Sequence, residues 1–279
     1  MGTRFELVFG SGEPVRLRAA GEEALAEILR LDQQLSAFRP ASEVSWINAR
    51  ACEGPVVVEA RLFEFLECCQ ALSRATEGAF DITVGPLMRA WGFVRGTGCL
   101  PSEDARRASA SSVGWEHVEL DPERRTVHFR RPGMRIDFGA IGKGYAVDAA
   151  VEILRDHGIS SALLHGGTSS IHAIGVPDDG DAWQIVWISP AGDTRTFDLT
   201  DSALSVSAVH GKSFEIGGQV LGHVLDPRTG APTMAARAAV VTGPRSLQCD
   251  ALSTALLVLG PSWLGEFDRH FPQYSAVVI

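Results

Sequence analysis

Three short segments carry residue types able to do chemistry on a phosphate. The first runs from Asp137 to Asp148 (Asp-Phe-Gly-Ala-Ile-Gly-Lys-Gly-Tyr-Ala-Val-Asp) and places Lys143 where an apolar run ends in glycines and a helical pattern begins. Lys143 and Lys212 are the only lysines, every other basic residue being arginine. A strand-to-helix junction offers unpaired backbone N–H groups and the positive end of a helix, both suited to a phosphate. The spacing is neither Gly-x-Gly-x-x-Gly nor a P-loop, so phosphate binding and a plain tight turn both remain open readings. The second segment is Asp250-Ala251-Leu252-Ser253-Thr254. Its i,i+4 spacing sets Asp250 and Thr254 on one helical face, a carboxylate and a hydroxyl of the kind Mg²⁺ takes when phosphate and water complete its shell. Asp250 could equally cap the helix. The third, His223-Val224-Leu225-Asp226-Pro227-Arg228-Thr229-Gly230, joins an imidazole, a carboxylate and a guanidinium. Such a set can move a proton and clamp an anion, although Asp-Pro-x-x-Gly is also a good turn sequence.

Two glycine-containing stretches add weaker signals. Gly78–Leu87 packs apolar residues around Asp81 and reads as a pocket wall or a structural loop. His165-Gly166-Gly167 ends a strand and permits close backbone approach. No His-x-x-x-His or Cys-x-x-Cys pattern suggests zinc, and no Gly-x-Ser-x-Gly elbow suggests a serine hydrolase.

The elements that must hold these segments follow from periodicity. Phe5–Phe9 and Val15–Arg18 around Gly10-Ser11-Gly12 read as a β-hairpin. Glu22 to Leu35 and Arg61 to Arg74 repeat apolar residues at helical spacing, and so does Lys143 to His157. His117–Leu120, Thr126–Phe129 and Met134–Phe138 read as a three-stranded meander. Strands are expected at Ser161–Leu164, Gln184–Ile188, Thr196–Leu199 and Ser275–Ile279, with helices at Leu247–Leu259 and Trp263–Phe271. Strands and helices mix without a βαβ alternation, which predicts an α+β fold of mixed, largely antiparallel sheets with packed helices.

Composition bounds the rest. With 279 residues, 45% of them hydrophobic, the chain can bury its own core, and no linker composition divides it, so residues 1–279 are expected to form one unit, as one body or two lobes. The net charge of −9 argues against a nucleic-acid partner, which needs clustered Lys and Arg. No run of about 18 apolar residues predicts a transmembrane segment. The five cysteines, including adjacent Cys68 and Cys69, suit a reducing cytoplasm. Met1–Glu6 lacks the layout of a secretory leader, and a leader or lipoprotein anchor removed upstream would leave no mark on this sequence.

Taken in order along the chain, these segments closely resemble the FAD:protein FMN transferase family, also called the ApbE family. The likeness runs from Met1-Gly2-Thr3 through Ser36-Ala37-Phe38, Ser42-Glu43 and Asn48, then Gly78–Leu87, Asp137–Asp148, Gly166-Gly167, His223–Gly230 and Asp250–Thr254. The resemblance implies an ApbE-like fold and a Mg²⁺-dependent enzyme. FAD would be cleaved at its pyrophosphate, the FMN half passing to a Thr or Ser hydroxyl of a redox flavoprotein with an Asp-Gly-x-Ser/Thr-Gly-Ala-Thr-like target, and AMP leaving. By the same resemblance Met1, Phe38, Ala79, Phe80, Asp81, Asp137, Lys143 and Val224 contact FAD. The resemblance likewise implies that Ala140 (through its carbonyl), Asp250, Ser253 and Thr254 would hold the metal, and that His223 would be the general base, supported by Asp226 and Arg228. The chain departs from the family at Val206-Ser207-Ala208-Val209-His210, where Thr-Ser-Gly and an acidic or aromatic pair are usual. Phe38 stands where Tyr is frequent. The alternatives are FAD hydrolysis to FMN and AMP, and FAD binding without catalysis.

Overall fold

The computed structural model describes residues 2–94, 98–189, 192, 194–209, 213–216 and 219–279. Strand β1 (Phe5–Phe9) leads straight into helix α1 (Pro14–Leu35), so the expected hairpin with Val15–Arg18 does not form. The reason is local. Pro14 brings a preset φ and no amide to satisfy, and the Glu13 carboxylate accepts the Val15 and Arg16 amides at 3.0 and 2.8 Å. Val15–Arg18 therefore begin a helix whose Ala20, Ala24, Ile28, Leu31 and Leu35 face the core.

Next come α2 (Glu43–Arg50), β2 (Val56–Val57) and α3 (Ala60–Ala75). Helix α3 stops in two left-handed residues, Glu77 (φ 53°) and Gly78 (φ 75°). The Gly78 amide returns to the Ser73 carbonyl at 2.8 Å and the Glu77 amide to that of Arg74 at 3.2 Å, which satisfies the last carbonyls and reverses the chain into residues 79–84. Helices α4 (Gly85–Ala90) and α5 (Glu103–Ala110) precede the antiparallel strands β3 (Val118–Asp121) and β4 (Thr126–Phe129). The third member of that sheet is β2, not the expected Met134–Phe138. Ile136 instead exchanges two hydrogen bonds with the Asn48 side chain, at 2.7 and 2.9 Å, and the Asp137 amide donates to the Ile82 carbonyl at 2.7 Å. With its backbone groups already engaged, the segment has none to offer the β3–β4 sheet.

Helix α6 (Gly142–Asp156) then precedes β5 (Ala162–Gly166), β6 (Ser170–Ile174), β7 (Trp183–Ile188), β8 (Thr194–Leu199) and β9 (Ser202–Ala208). Small hairpins follow, β10 (Ser213–Ile216) with β11 (Gln219–Gly222) and β12 (Leu225–Asp226) with β13 (Ala231–Pro232). The chain finishes through β14 (Ala238–Gly243), α7 (Ser246–Leu259), α8 (Leu264–His270) and β15 (Ser275–Val278). The main sheet has the order β1-β5-β6-β9-β14-β15, antiparallel at every pairing. Chain ends thus form its two edges. The predicted α+β class is what is observed.

This sheet is covered on both faces. Ala162, Leu164, Ile174, Ala203, Ala239 and Val241 pack into the large core with α1, α6 and α7, while Ile171, Ala173, Leu204 and Val240 face the β7–β8 hairpin. Strands β6, β9 and β14, none of them expected, form three of its four interior strands. Two-sided burial makes β14 (Ala-Ala-Val-Val-Thr-Gly) an apolar run without the alternation by which a strand is recognised. In β9 the serines at 202, 205 and 207 give a polar appearance to a strand packed against α7.

Candidate metal and dinucleotide cleft

Alternation along β6 and β9 sends Ser170 and His172, and Ser205 and Ser207, to the face covered by α7. Helix α7 answers with Ser246, Asp250, Ser253 and Thr254, and the two rows make a buried polar seam. Asp250, 3% exposed, sits at its centre. Its Oδ1 accepts from the Ser170 hydroxyl at 3.0 Å and the Ser205 hydroxyl at 2.8 Å, the latter shared with the Ser169 carbonyl at 2.8 Å. Its Oδ2 accepts the Gly144 amide at 2.9 Å and lies 3.7 Å from Lys143 Nζ. Ser207 Oγ is 2.8 Å from Ser253 Oγ and 3.1 Å from Thr254 Oγ1, and both of those hydroxyls donate to the Asp250 carbonyl.

Asp250 does not cap α7. That work is done from α6 by Asp148, whose oxygens accept the Ser246 and Leu247 amides at 2.8 and 3.2 Å and the Arg245 Nε at 3.1 Å. Asp250 instead meets an amide at the start of α6, where a helix end favours negative charge. The two helices come this close because residue 144 is glycine: a Cβ there would lie 2.3 Å from the Ser246 carbonyl oxygen. The loop ahead of α6 is pinned by a stack in which Phe65 of α3 faces Tyr145 (centroids 4.0 Å apart) and Phe138 (4.8 Å).

The 79–84 loop borders the same space. Asp81 Oδ1 accepts both the amide and the hydroxyl of Thr83 at 2.7 Å, and Thr83 Oγ1 in turn accepts the Gly114 amide at 2.7 Å. Burial pushes the Asp81 carboxyl up to about 6 against the opposing pull of the Thr83 bonds. A third wall comes from His223, whose ring meets Phe93 edge-on at 6.4 Å.

These walls enclose a cleft of about 970 Å³, within the range of small-molecule and cofactor sites. Phe38, Ala79, Phe80, Asp81, Asp137, Ala140, Lys143, His223, Val224, Asp250 and Thr254 all line it, drawn from segments far apart in sequence. Ser253 lies just behind, fully buried. Met1 falls outside the described residues, while Gly2 reaches the cleft. Asp226 and Arg228 are not among the lining groups. Arg228 donates to Asp226 from its amide, Nε and Nη2, each at 2.9 Å, and the Gly230 amide closes the turn on the Asp226 carbonyl at 2.8 Å. The pair therefore shapes the turn after His223, and Trp91 anchors that turn by donating to the Gly230 carbonyl at 2.8 Å. Ser170, Ser205, Ser207 and the Gly144 amide were not anticipated. The one signal in the sequence is the spacing of Ser205 and Ser207, which would share a face of a strand.

Asp32, Asp81, Asp137 and Asp250 line the cleft together with Lys143 and His223, and Asp32 is paired with Arg39 at 3.0 Å. Among the described residues no group of three or more His, Cys, Asp or Glu could hold a metal by itself. Asp250, Thr254 and Ala140 instead all line the same cleft, and between them they carry a carboxylate, a hydroxyl and a backbone carbonyl. Such a set fits Mg²⁺, which binds through one or two carboxylates and takes phosphate oxygens and water for the rest.

Comparison with known proteins gives the family and the fold. The ApbE family model matches residues 1–278. The FAD:protein FMN transferase of Treponema pallidum is 31% identical over 99% of this chain and 84% of its own length. One from Klebsiella pneumoniae is 32% identical over 89% of this chain and 80% of its own. Among solved structures, the apo flavinyl transferase ApbE of Pseudomonas stutzeri superposes with a TM-score of 0.88 at 30% identity, covering 100% of this chain and 88% of that one. The ApbE protein of Thermotoga maritima gives a TM-score of 0.88 at 25% identity, covering 99% and 94%.

Proposed function

The chain belongs to the ApbE family, and from that membership we propose that it is an FAD:protein FMN transferase using Mg²⁺. The acceptor hydroxyl attacks the FMN-side phosphorus of FAD, the bond from that phosphorus to the bridging oxygen breaks, and AMP leaves with the electron pair. The observation that carries this reading is the cluster around Asp250. A buried carboxylate with the Lys143 ammonium 3.7 Å away, lining one cleft together with Thr254 and Ala140, suits a divalent cation that arrives with a pyrophosphate. Bound Mg²⁺ supplies charge neutralisation at the pyrophosphate.

The chain's own groups divide the remaining work. Asp250, Thr254 and the Ala140 carbonyl hold the ion, with Ser253 and Ser207 orienting the Thr254 hydroxyl. Lys143 places its ammonium beside the phosphates. Phe38, exposed at the cleft mouth, offers a face for a flavin or adenine ring. Ala79, Phe80, Asp81, Asp137 and Val224 line the binding walls, and Met1 is assigned to FAD as well. His223 accepts the acceptor's hydroxyl proton, and the Asp226–Arg228 turn keeps its imidazole aimed inward. Positioning and electrostatics contribute most in transfers of this kind. Residues 1–279 act as one unit, in keeping with a main sheet whose edges are the first and last strands.

The test incubates the protein with FAD, Mg²⁺ and an acceptor protein carrying Asp-Gly-x-Ser/Thr-Gly-Ala-Thr. Covalent flavin fluorescence and AMP are expected in equal amounts. AMP without covalent flavin would replace transfer with hydrolysis, and bound FAD with neither product would leave only a flavin-binding protein.

A further inference from the structure

Ser170 and Ser205 do not line the cleft, yet both hydroxyls touch the carboxylate at its floor. A carboxylate offers about four lone-pair directions, two on each oxygen. At Asp250 Oδ1 those two directions are filled by Ser170 Oγ at 3.0 Å and Ser205 Oγ at 2.8 Å. Both serines are fully buried, so water does not compete for these contacts. The one Ser205 hydroxyl proton is shared between Asp250 Oδ1 and the Ser169 carbonyl, each 2.8 Å away. On Oδ2 the Gly144 amide takes one direction at 2.9 Å, leaving a single position beside Lys143.

We infer that Ser170 and Ser205 determine which divalent ion this cleft accepts, by confining Asp250 to a one-oxygen contact. The inference rests on Asp250 being the metal ligand of the function proposed above. Mg²⁺ is small and takes single carboxylate oxygens in a near-ideal octahedron, whereas Ca²⁺ is satisfied by six to eight oxygens and readily takes both oxygens of one carboxylate. A carboxylate with Oδ1 occupied by hydroxyls suits the first ion and denies the second its two-oxygen contact. Neither serine touches substrate, so both are positioning residues.

The experiment titrates Mg²⁺ and, separately, Ca²⁺ calorimetrically into the full chain loaded with FAD, for the native protein, Ser170→Ala, Ser205→Ala and the double variant. Native protein is expected to favour Mg²⁺. Changes in groups that orient a metal ligand typically alter affinity about 10–100-fold, so the double variant is expected to lose roughly tenfold of its Mg²⁺ preference, each single variant falling between. Ser→Ala removes one buried oxygen, and thermal unfolding of each variant checks that the seam still forms. An unchanged affinity ratio in a folded double variant overturns the inference, and so does an equal loss of both ions, which would make the serines mere supports for the carboxylate. Should native protein bind neither ion, with Asp250→Ala titrating identically, the metal assignment itself fails and this inference with it.

Discussion

His223 lines the cleft with its ring edge-on to Phe93, on a different segment of the chain from Asp250 and Thr254. Removing it should therefore separate chemistry from binding. His223→Ala is expected to slow flavin transfer by about 10²–10⁴-fold, the usual worth of a positioned general base, with FAD affinity within a few-fold of native by fluorescence quenching. A native transfer rate would remove His223 from its role. Asp81 is the other titrating group of interest. Burial raises its carboxyl to about 6, so it gains charge as pH climbs through that value, and the added negative charge opposes an anionic ligand in the same cleft. FAD affinity should fall between pH 5 and 7, and Asp81→Asn should flatten the part of that fall owed to residue 81; identical pH profiles for the two proteins would contradict this.

Helices α6 and α7 decide whether the binding groups meet. Lys143 and Gly144 come from the first turn of α6 and Asp250 from α7, and only the missing side chain at 144 lets the two backbones approach. Intrinsic propensity favours alanine over glycine within a helix by about 1 kcal/mol. Overpacking against a rigid neighbour typically costs about 1–3 kcal/mol, and the neighbour here is a backbone carbonyl that cannot swing aside. Gly144→Ala should thus lower the unfolding midpoint and weaken metal binding together; a rise in stability with metal affinity intact would show that the approach has slack. The same helix junction explains the split role of two aspartates. Asp148 caps α7 and fixes its height against the sheet, which leaves Asp250, one turn further on, free of capping and turned toward α6.

For the molecule as a whole, pH stability should depend on His172, which lies 1% exposed between the main sheet and α7. Its Nδ1 meets Ser246 Oγ at 2.9 Å, and its buried Nε2 has no partner. Burial lowers its pKa from 6.5 to about 4, although nearby Asp148 pulls the other way. The unfolded chain therefore binds this proton first as pH falls, so the stability owed to a neutral His172 is complete above about pH 6.5 and is lost on the way down to pH 4. Asp81 works with the opposite sign over an overlapping range, since its folded form takes up a proton near pH 6, before the unfolded form does. Urea unfolding of native protein and His172→Leu at pH 7, 5.5 and 4 should show the native protein losing stability relative to the variant on acidification; a constant difference would mean that His172 takes up its proton equally readily in the folded and unfolded states. Much of this architecture was legible in the residues. Helical spacing located α1, α3, α6 and α7, turn chemistry located the β3–β4 hairpin, and the Asp137–Asp148, His223–Gly230 and Asp250–Thr254 segments each contribute residues that line the cleft. What tertiary structure alone decided was which partners those walls would find. Strand β14, buried on both faces, reads as an apolar run, and the polar residues of β6 and β9 point into the protein rather than to water. Serines two apart on β9 look the same in sequence whether they face water or a carboxylate. Asp226 and Arg228, chemically apt for a site, satisfy one another within four residues, a local bond that forms whatever the distant chain does. Asp250 meets Gly144 and Ser170 across 106 and 80 positions, and contacts of that range follow from how the sheet and two helices close on each other, a property of packing that no local pattern encodes.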